Sequence, residues 1–412
     1  MKLLRLSVFS LLGLAVATAL AAPGLIGPKV EEIWKQQLAR LQGGEVAQYQ
    51  RGWFGAEAST RVESGDGGTE LRSEIQHGPL LFTAHGPRLG VVYTETRLSP
   101  DHLAPQLRAQ LEQWYGRLDQ SPLVLESLVG ADNRIVNYLR LASFTRADSS
   151  GELMFDGGQL LIETDYSGAL LTGSLELGSI RHTRAGHEAL FTEPAEGTFK
   201  YTPGAGGEAE LLLPLLRAES ESGPLELRDI RLQLSVEEVG RGLLKLISDL
   251  KLPQVQSATP VTALQQQMTL PQVAATDLLH YLSVLVPADA GRDWPRAMRR
   301  PLRLQQQLEV QSRNGPVLVD ADIDWHGTAR GAGNGADWWL APLAGTVTFS
   351  AAEQALMQSP LVAKAMMLRQ YGLLMENNGE LQMHLQADRG RLLVNGQQLP
   401  PDLLLLALTG DF

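Results

Sequence analysis

Short stretches in which apolar and polar residues alternate recur along most of this chain, and many begin at a glycine. Six of them are Gly151–Phe155, Gly173–Leu177, Gly197–Tyr201, Gly223–Leu227, Gly345–Phe349 and Gly379–Met383. Alternation with period two predicts half-buried β-strands, and glycine supplies the backbone freedom that a turn before a strand requires. The irregular spacing argues against a solenoid repeat. We therefore predict a mainly β fold of the α+β class, an elongated antiparallel meander with a few intervening helices.

The strongest predicted strands cover residues 88–97, 153–155, 160–164, 225–236, 302–310 and 317–325, where β-branched and aromatic residues are frequent. Helices are predicted at 99–117, 239–250, 276–286 and 351–372. The first begins at Ser99-Pro100-Asp101 and places Leu103, Leu107 and Leu111 on one stripe. The last is predicted to be interrupted at Pro360, because proline removes a helix hydrogen bond.

The N-terminal segment predicts export. Lys2 and Arg5 precede an uncharged apolar run from Leu6 to Ala22, which predicts an N-terminal hydrophobic helix over residues 3–22. Small residues near Ala19 and Ala21 would permit signal cleavage, whereas the length of the run favours a retained anchor. Lys2 and Arg5 would keep the N-terminus in the cytoplasm. Both interpretations place the rest of the chain in the periplasm, and we prefer an inner-membrane anchor.

The predicted organisation has three parts. Residues 1–28 form the signal or anchor, residues 29–150 an amphipathic helix with a β segment, and residues 151–412 a β-rich body closed by a C-terminal hairpin. Turn-rich stretches at 148–151, 202–207 and 331–335 are too short to be disordered linkers.

Composition excludes several classes of function. The 46 acidic residues outnumber the 35 basic ones, for a formal net charge of −11. This balance argues against a nucleic-acid partner, which would require clustered Lys and Arg. The chain contains no cysteine, which excludes a disulfide scaffold, a thiol nucleophile and Cys-ligated metal.

No catalytic or cofactor motif satisfies its spacing. Asp320, Asp322 and Asp324 would share one strand face, but Trp325 and Gly331 occupy positions where a calcium loop needs Gly and Glu. The eight histidines form no His-Glu-x-x-His motif and are read as surface or packed residues: His77, His85, His102, His182, His187, His280, His326 and His384. Gly331-x-Gly333-x-x-Ala336 is followed by no helix signal, so it is read as a loop. The sequence thus assigns no catalytic, cofactor-binding or metal residue, and no cofactor.

Three short motifs carry a family resemblance. They are Tyr49-Gln-Arg-Gly-Trp-Phe54, His77-Gly-Pro79 and the closing Gly390-Arg-Leu-Leu-Val-Asn-Gly396. Together they resemble the YdgA-like family of bacterial envelope proteins, and the resemblance implies a β-rich periplasmic protein at the inner membrane without a recognised active site. From the residues themselves, Asn395-Gly396 predicts a two-residue hairpin turn. Trp53-Phe54 is read as core of the first strand, with an exposed membrane-interface anchor as the alternative.

These observations favour a non-enzymatic envelope interaction or scaffold protein, whose partner would be another envelope protein or a second copy of the chain. The alternative is binding or transfer of a lipid or other hydrophobic ligand in an apolar β groove, lined by the Met- and Leu-rich segment 356–374. An exported hydrolase is the third hypothesis. A continuous apolar groove would favour the lipid, a filled core the scaffold, and a polar pocket with converging His and Asp the enzyme.

Overall fold

The computed structural model describes residues 22–36, 44–64, 67–149, 151–220, 223–240, 242–274, 301–327, 340–359 and 361–400. The chain divides into two compact units. The first unit comprises Met1–Glu188 with Pro194–Pro203, and the second comprises Ala189–Glu193 with Gly204–Phe412. Both are built mainly from antiparallel strands, as the alternating sequence predicts.

The first fourteen strands, in chain order, are β1 (Gly44–Arg51), β2 (Gly55–Ser64), β3 (Gly67–His77), β4 (Leu80–Thr83), β5 (Gly86–Leu98), β6 (Leu123–Gly130), β7 (Arg134–Leu141), β8 (Phe144–Asp148), β9 (Gly151–Phe155), β10 (Gly158–Asp165), β11 (Leu171–Leu177), β12 (Ile180–Arg184), β13 (His187–Thr192) and β14 (Ala195–Thr202). In the first unit the pairing runs β1-β2-β3-β5-β6-β7-β10-β11-β14. β4 pairs with the first part of β5, and β8, β9 and β12 pair side by side.

The remaining strands are β15 (Gly206–Ser220), β16 (Gly223–Gly240), β17 (Leu243–Leu252), β18 (Gln254–Gln256), β19 (Val261–Ala274), β20 (Leu302–Ser312), β21 (Val317–Trp325), β22 (Leu343–Ala352), β23 (Met375–Asn377), β24 (Glu380–Asp388), β25 (Arg391–Val394) and β26 (Gln397–Gln398). They form a meander in the second unit, paired in the order β15-β16-β17-β19-β20-β21-β22-β24-β25-β26.

The described residues contain few helices. They are α1 (residues 22–36), α2 (Pro105–Tyr115), α3 (Glu353–Met357) and α4 (Val362–Gln370), and a short 3-10 turn spans Pro100–His102. The prediction at 99–117 is confirmed in part: Leu103 and Ala104 are non-helical and separate the 3-10 turn from α2. The prediction at 351–372 divides into α3 and α4, with Pro360 itself outside the described residues. Within the described ranges, no helix has the length and apolarity needed to cross a membrane. The predicted hydrophobic helix at 3–22 lies outside those ranges except at its last residue, and the predicted helix at 276–286 lies wholly outside them.

The prediction of a helix at 239–250 is wrong. The segment contains the end of β16 and most of β17, which pairs with β16 on one side and β19 on the other. Its closely spaced leucines fit a helical stripe as well as they fit a strand. Inter-strand hydrogen bonds on both sides decide in favour of the strand, because tertiary context overrides local propensity.

The glycine-led stretches are all strands, but their glycines serve two purposes. Gly151, Gly223 and Gly379 have positive φ, as expected where a turn leads into a strand. Gly345 also has positive φ but lies inside β22, where an added Cβ would collide with the Asp322 carbonyl of the neighbouring strand. Gly173 and Gly197 instead lie inside β11 and β14. At Gly173 a side chain would collide with the Phe199 ring of the neighbouring strand, so close approach explains this glycine.

The core is concentrated near the two ends of the chain. One buried cluster joins α1 to β1–β3, and the largest joins α3 and α4 to β22, β24 and β25. Between these clusters, the described residues from 151 to 325 include only five buried side chains apart from glycine: Thr192, Leu215, Leu270, Val273 and Trp325. Most apolar side chains on the intervening strands are therefore half-exposed.

Candidate functional site

An apolar groove lies in the second unit between the helices α3 and α4 and the adjacent sheet. Its volume is about 650 Å³, within the range of small-molecule sites. The residues that line it are Thr259, Pro260, Val261, Val310, Ser312, Val317, Phe349, Ala355, Leu356, Ser359, Leu361, Lys364, Ala365, Leu368, Leu374 and Met383. We call this site the apolar groove.

The break between α3 and α4 shapes one wall of the groove. Ser359 Oγ donates to the Leu356 carbonyl at 2.8 Å and accepts from the Leu361 amide at 3.1 Å, which fixes the turn between the helices. Arg369 on α4 binds Glu353 on α3 at 2.6 Å and also bonds Glu376. These contacts hold both helices over the sheet without filling the space beneath them.

The floor of the groove is continuous with the largest core cluster. Leu356, Ala365, Leu374 and Met383 are buried members of that cluster and also line the groove. Leu361, at the edge, is 55% exposed. A ligand in the groove would therefore rest on packed core and reach solvent at one edge.

Lys364 is the one charged side chain among the sixteen residues that line the groove. It is half-buried on α4. A lysine in such a position can pack its aliphatic stem against the apolar wall while its ammonium group reaches polar surroundings.

The sequence identified only the helical side of this site. Leu356, Leu361 and Leu374 from the segment 356–374 line the groove, whereas Met366 is exposed. The strand side is supplied by Val310, Val317 and Phe349 among others, which sequence reasoning did not connect to that segment.

A second cavity, of about 680 Å³, lies in the first unit beside a buried carboxylate. Glu126 on β6 is fully buried and accepts a 2.8 Å hydrogen bond from Tyr93 Oη on β5. It also pairs with Arg140 on β7. His85 Nε2 lies 3.9 Å from the same carboxylate, and its ring packs against Tyr138 with centroids 4.4 Å apart.

Tyr93 and Arg140 therefore both donate to the Glu126 carboxylate. Burial, followed by the hydrogen bond to Glu126, raises the pKa of Tyr93 well above its usual range, so the phenol stays protonated and donates. Sequence reasoning missed the site. A signal was present, because Glu126 shares a strand face with the apolar Val124 and Leu128.

The residues considered for metal chemistry are separated or engaged elsewhere. Asp322 is bound by Arg303 at 3.0 Å and by Gln305 at 3.1 Å, and the Arg303 bond is the main reason that the pKa of Asp322 is lowered. His326 lies 3.6 Å from Asp324. In the described part of the chain, no three His, Asp or Glu side chains come together as a metal site would require. His280 and the stretch Gly331–Ala336 fall outside the described residues.

The first two motifs of the family resemblance meet where α1 packs against the sheet. Tyr49 packs against the cluster formed by α1 and β1–β3. Arg51 binds Glu31 of α1 at 3.0 Å. His77 is buried under Gly27 of α1, where an added Cβ would lie 2.9 Å from the imidazole. These residues therefore hold the helix that follows the apolar run of the sequence.

The preferred interpretation of Trp53-Phe54 as core is wrong. Both side chains are more than half exposed and lie in the turn between β1 and β2. The turn is closed by the Gly52 amide, which donates to the Gly55 carbonyl at 2.8 Å, so the two rings project beyond the strand ends. The Trp53 ring lies against α1 at Gly24, where a Cβ would come within 2.7 Å.

The third motif forms the predicted hairpin. Asn395 and Gly396 have φ of 50° and 81°, and Val394 pairs with Gln397 across the turn. Asn395 also donates to the Leu373 carbonyl at 3.0 Å and accepts from the His384 amide at 2.8 Å. Leu392 and Val394 are buried, so the hairpin closes the sheet beside the apolar groove.

Comparison with known proteins gives one family match. The model of a family described as a bacterial protein of unknown function (DUF945) matches residues 1–260 of the 412. No curated protein and no solved structure matches.

Proposed function

This chain belongs to the DUF945 family of bacterial proteins, which includes the YdgA-like proteins, and from that premise we propose that it is an exported, inner-membrane-tethered protein that binds a lipid or similar hydrophobic ligand in the apolar groove. The groove carries this proposal. Fifteen of its sixteen lining residues are uncharged, and most are aliphatic or aromatic. Among the hypotheses from the sequence, this geometry supports the hydrophobic-ligand alternative better than the scaffold.

The expected ligand is a single acyl chain with an acidic group. Burying a methylene group contributes about 0.8 kcal/mol, so a long chain in the groove would gain several kcal/mol. Lys364 would add a charge interaction at the polar end. No catalytic step is part of the proposal, because the buried Glu126 already accepts from both Tyr93 and Arg140.

A pair of variants tests the groove. Val317 lines it, whereas the next residue, Leu318, is exposed and does not. Val317→Glu places a charge in the groove and is expected to weaken binding of a fluorescent fatty acid at least tenfold. Leu318→Glu, the matched control, is expected to bind as wild type does. Equal binding by both folded variants and wild type would contradict the assignment.

Export and tethering rest on the apolar run Leu6–Ala22 and its flanking Lys2 and Arg5. A reporter that is active only in the periplasm, fused after Phe412, should be active. The intact mass of the extracted protein should retain the N-terminal residues if the run is an anchor. Activity from a cytoplasmic reporter alone would contradict export, and a mass that begins near Ala22 would contradict the anchor.

A second candidate is the envelope interaction protein that the sequence favours. The half-exposed apolar side chains on β15–β21 support it, since such a sheet face could receive another protein or a second copy of this chain. Co-purification of a stoichiometric partner chain without lipid would favour this candidate.

A further inference from the structure

One end of the first sheet exposes a set of large apolar side chains. They lie on α1, in the β1–β2 turn and along β4 and β5: Leu25, Trp53, Phe54, Leu80, Phe82 and Leu89, each at least half exposed. We call this set the apolar end surface. Soluble proteins rarely expose apolar side chains in such a group unless it meets a partner.

The register of the sheet shows that these residues gather at one end. The Phe54 carbonyl accepts from the His77 amide at 2.8 Å, which ties the β1–β2 turn to the end of β3. The Gln76 side chain bonds both the amide and the carbonyl of Phe82, which holds β4 beside the same strand end. Leu80 is directly opposite Leu89, so these two side chains share a face, and Phe82 is on that face by alternation.

The start of α1 lies at this same end. Gly24 contacts the Trp53 ring and Gly27 contacts His77, whereas Val30, further along the helix, packs against Ala56, Ala58 and Ile75. The apolar run of the sequence ends at Ala22, only two residues before Gly24. If that run enters a bilayer, the apolar end surface must lie within a few residues' length of the lipid.

The charge of these segments fits a bacterial membrane. Residues 22–30, 52–56 and 77–91 contain no Asp or Glu, in a chain with 46 acidic residues. They do contain Lys29, which pairs with Glu32 at 2.8 Å, and the exposed Arg88, which lies next to Leu89 on β5 but on the opposite face of that strand. Apolar and aromatic side chains with neighbouring basic groups are typical of surfaces that enter the lipid headgroup region.

We propose that the apolar end surface lies in the headgroup region of an anionic lipid bilayer, so that the folded first unit contacts the membrane directly and is not attached to it only through the N-terminal segment. This inference depends on the proposed insertion of residues 6–22. It adds a second contact, and the inserting side chains are Trp53, Phe54, Leu80, Phe82 and Leu89.

The absence of cysteine permits a direct test on the full chain. Phe54→Cys, Phe82→Cys and Leu89→Cys would each be labelled with an environment-sensitive fluorophore and reconstituted in phosphatidylethanolamine–phosphatidylglycerol vesicles. Trp114→Cys is the control, because Trp114 is half-exposed on α2, whose first residue Pro105 lies beside Gly67 at the opposite end of the sheet. We expect a blue shift, and quenching by headgroup-level lipid quenchers, at positions 54, 82 and 89 but not at 114.

The outcomes separate this inference from the proposed tether. If the protein floats with the vesicles while all labels report water, the tether stands and the surface contact is wrong. If the protein does not float, both are wrong. A blue shift without lipid that grows with protein concentration would show contact between copies of the chain, and would also overturn the proposal.

Discussion

At the scale of single residues, the buried carboxylate of Glu126 depends on donors from both neighbouring strands. Tyr93 reaches it from β5 and Arg140 from β7. Leaving a buried carboxylate without its donors costs more free energy than the hydrogen bonds contributed, because no water replaces the lost donors. The pairing therefore fixes these three strands relative to one another, and Tyr93 and Glu126 line the second cavity.

Glu126→Gln should destabilise the first unit. The glutamine side chain has nearly the same shape as glutamate. Its NH2 group would, however, face either Tyr93 or Arg140, which are both donors, and a neutral amide would leave the Arg140 charge without a partner. We expect a loss of about 1–3 kcal/mol in the free energy of unfolding, measured by urea denaturation. Glu57→Gln, at an exposed position on β2, is the control and should change little. Unchanged stability of both variants would contradict this role of Glu126.

His77 gives the first unit a predicted pH dependence. Burial under α1 lowers the pKa of His77 below its ordinary value of 6.5, the nearby Trp53 backbone partly offsets this, and the positive charge of Arg51 adds to the lowering. The folded protein thus binds the proton more weakly than the unfolded chain does. The neutral form of His77 therefore favours the folded state, and its contribution to the free energy of unfolding is complete above about pH 6.5. That contribution is lost progressively as the pH falls below this value.

The test compares thermal unfolding between pH 7.5 and pH 5. His77→Gln should lose part of the decline in stability seen for wild type on acidification. His102→Gln alters a more exposed histidine near Glu70 and serves as the control. A wild-type profile that is flat, or one that His77→Gln leaves unchanged, would contradict the assignment.

At the scale of secondary-structure elements, the closing hairpin joins the edge of the sheet to the groove. Its turn requires positive φ at both Asn395 and Gly396. No atom lies within 4 Å of where a Cβ at Gly396 would be, so space does not limit this position. Backbone conformation alone makes glycine favourable there.

Gly396→Val should therefore lower stability through backbone strain. A β-branched residue in the left-handed region costs about 1–2 kcal/mol, which corresponds to a decrease of several degrees in Tm. Gln397→Val, at the next and exposed position on β26, is the control and should be tolerated. If Gly396→Val unfolds at the wild-type temperature but loses ligand, the hairpin is a recognition element and its structural role is wrong.

The sequence predicts the structure correctly at positions where the local pattern is compatible with only one structure. The strand predicted at 317–325 has the observed bounds of β21, and Asn395-Gly396 forms the predicted turn. It failed at 239–250, where leucine spacing fits a helix and a strand equally. It also could not identify the strand wall of the groove, since Val310 and Phe349 meet α4 only through the pairing of distant strands.

At the scale of the whole molecule, the chain combines two units with different surfaces. The first unit holds α1 through Tyr49, Arg51 and His77 and exposes the apolar end surface. The second unit carries the apolar groove beneath α3 and α4. We interpret the first as the part that meets the membrane and the second as the part that binds the ligand.

The measurement that tests this account most directly is native mass spectrometry of the full chain after mild extraction. We predict the mass of the chain plus one lipid-sized ligand that carries an acidic group, and loss of that ligand in Val317→Glu but not in Leu318→Glu. Detection of the bare chain alone, or of equal ligand on both variants, would contradict the central claim that the apolar groove is a hydrophobic-ligand site.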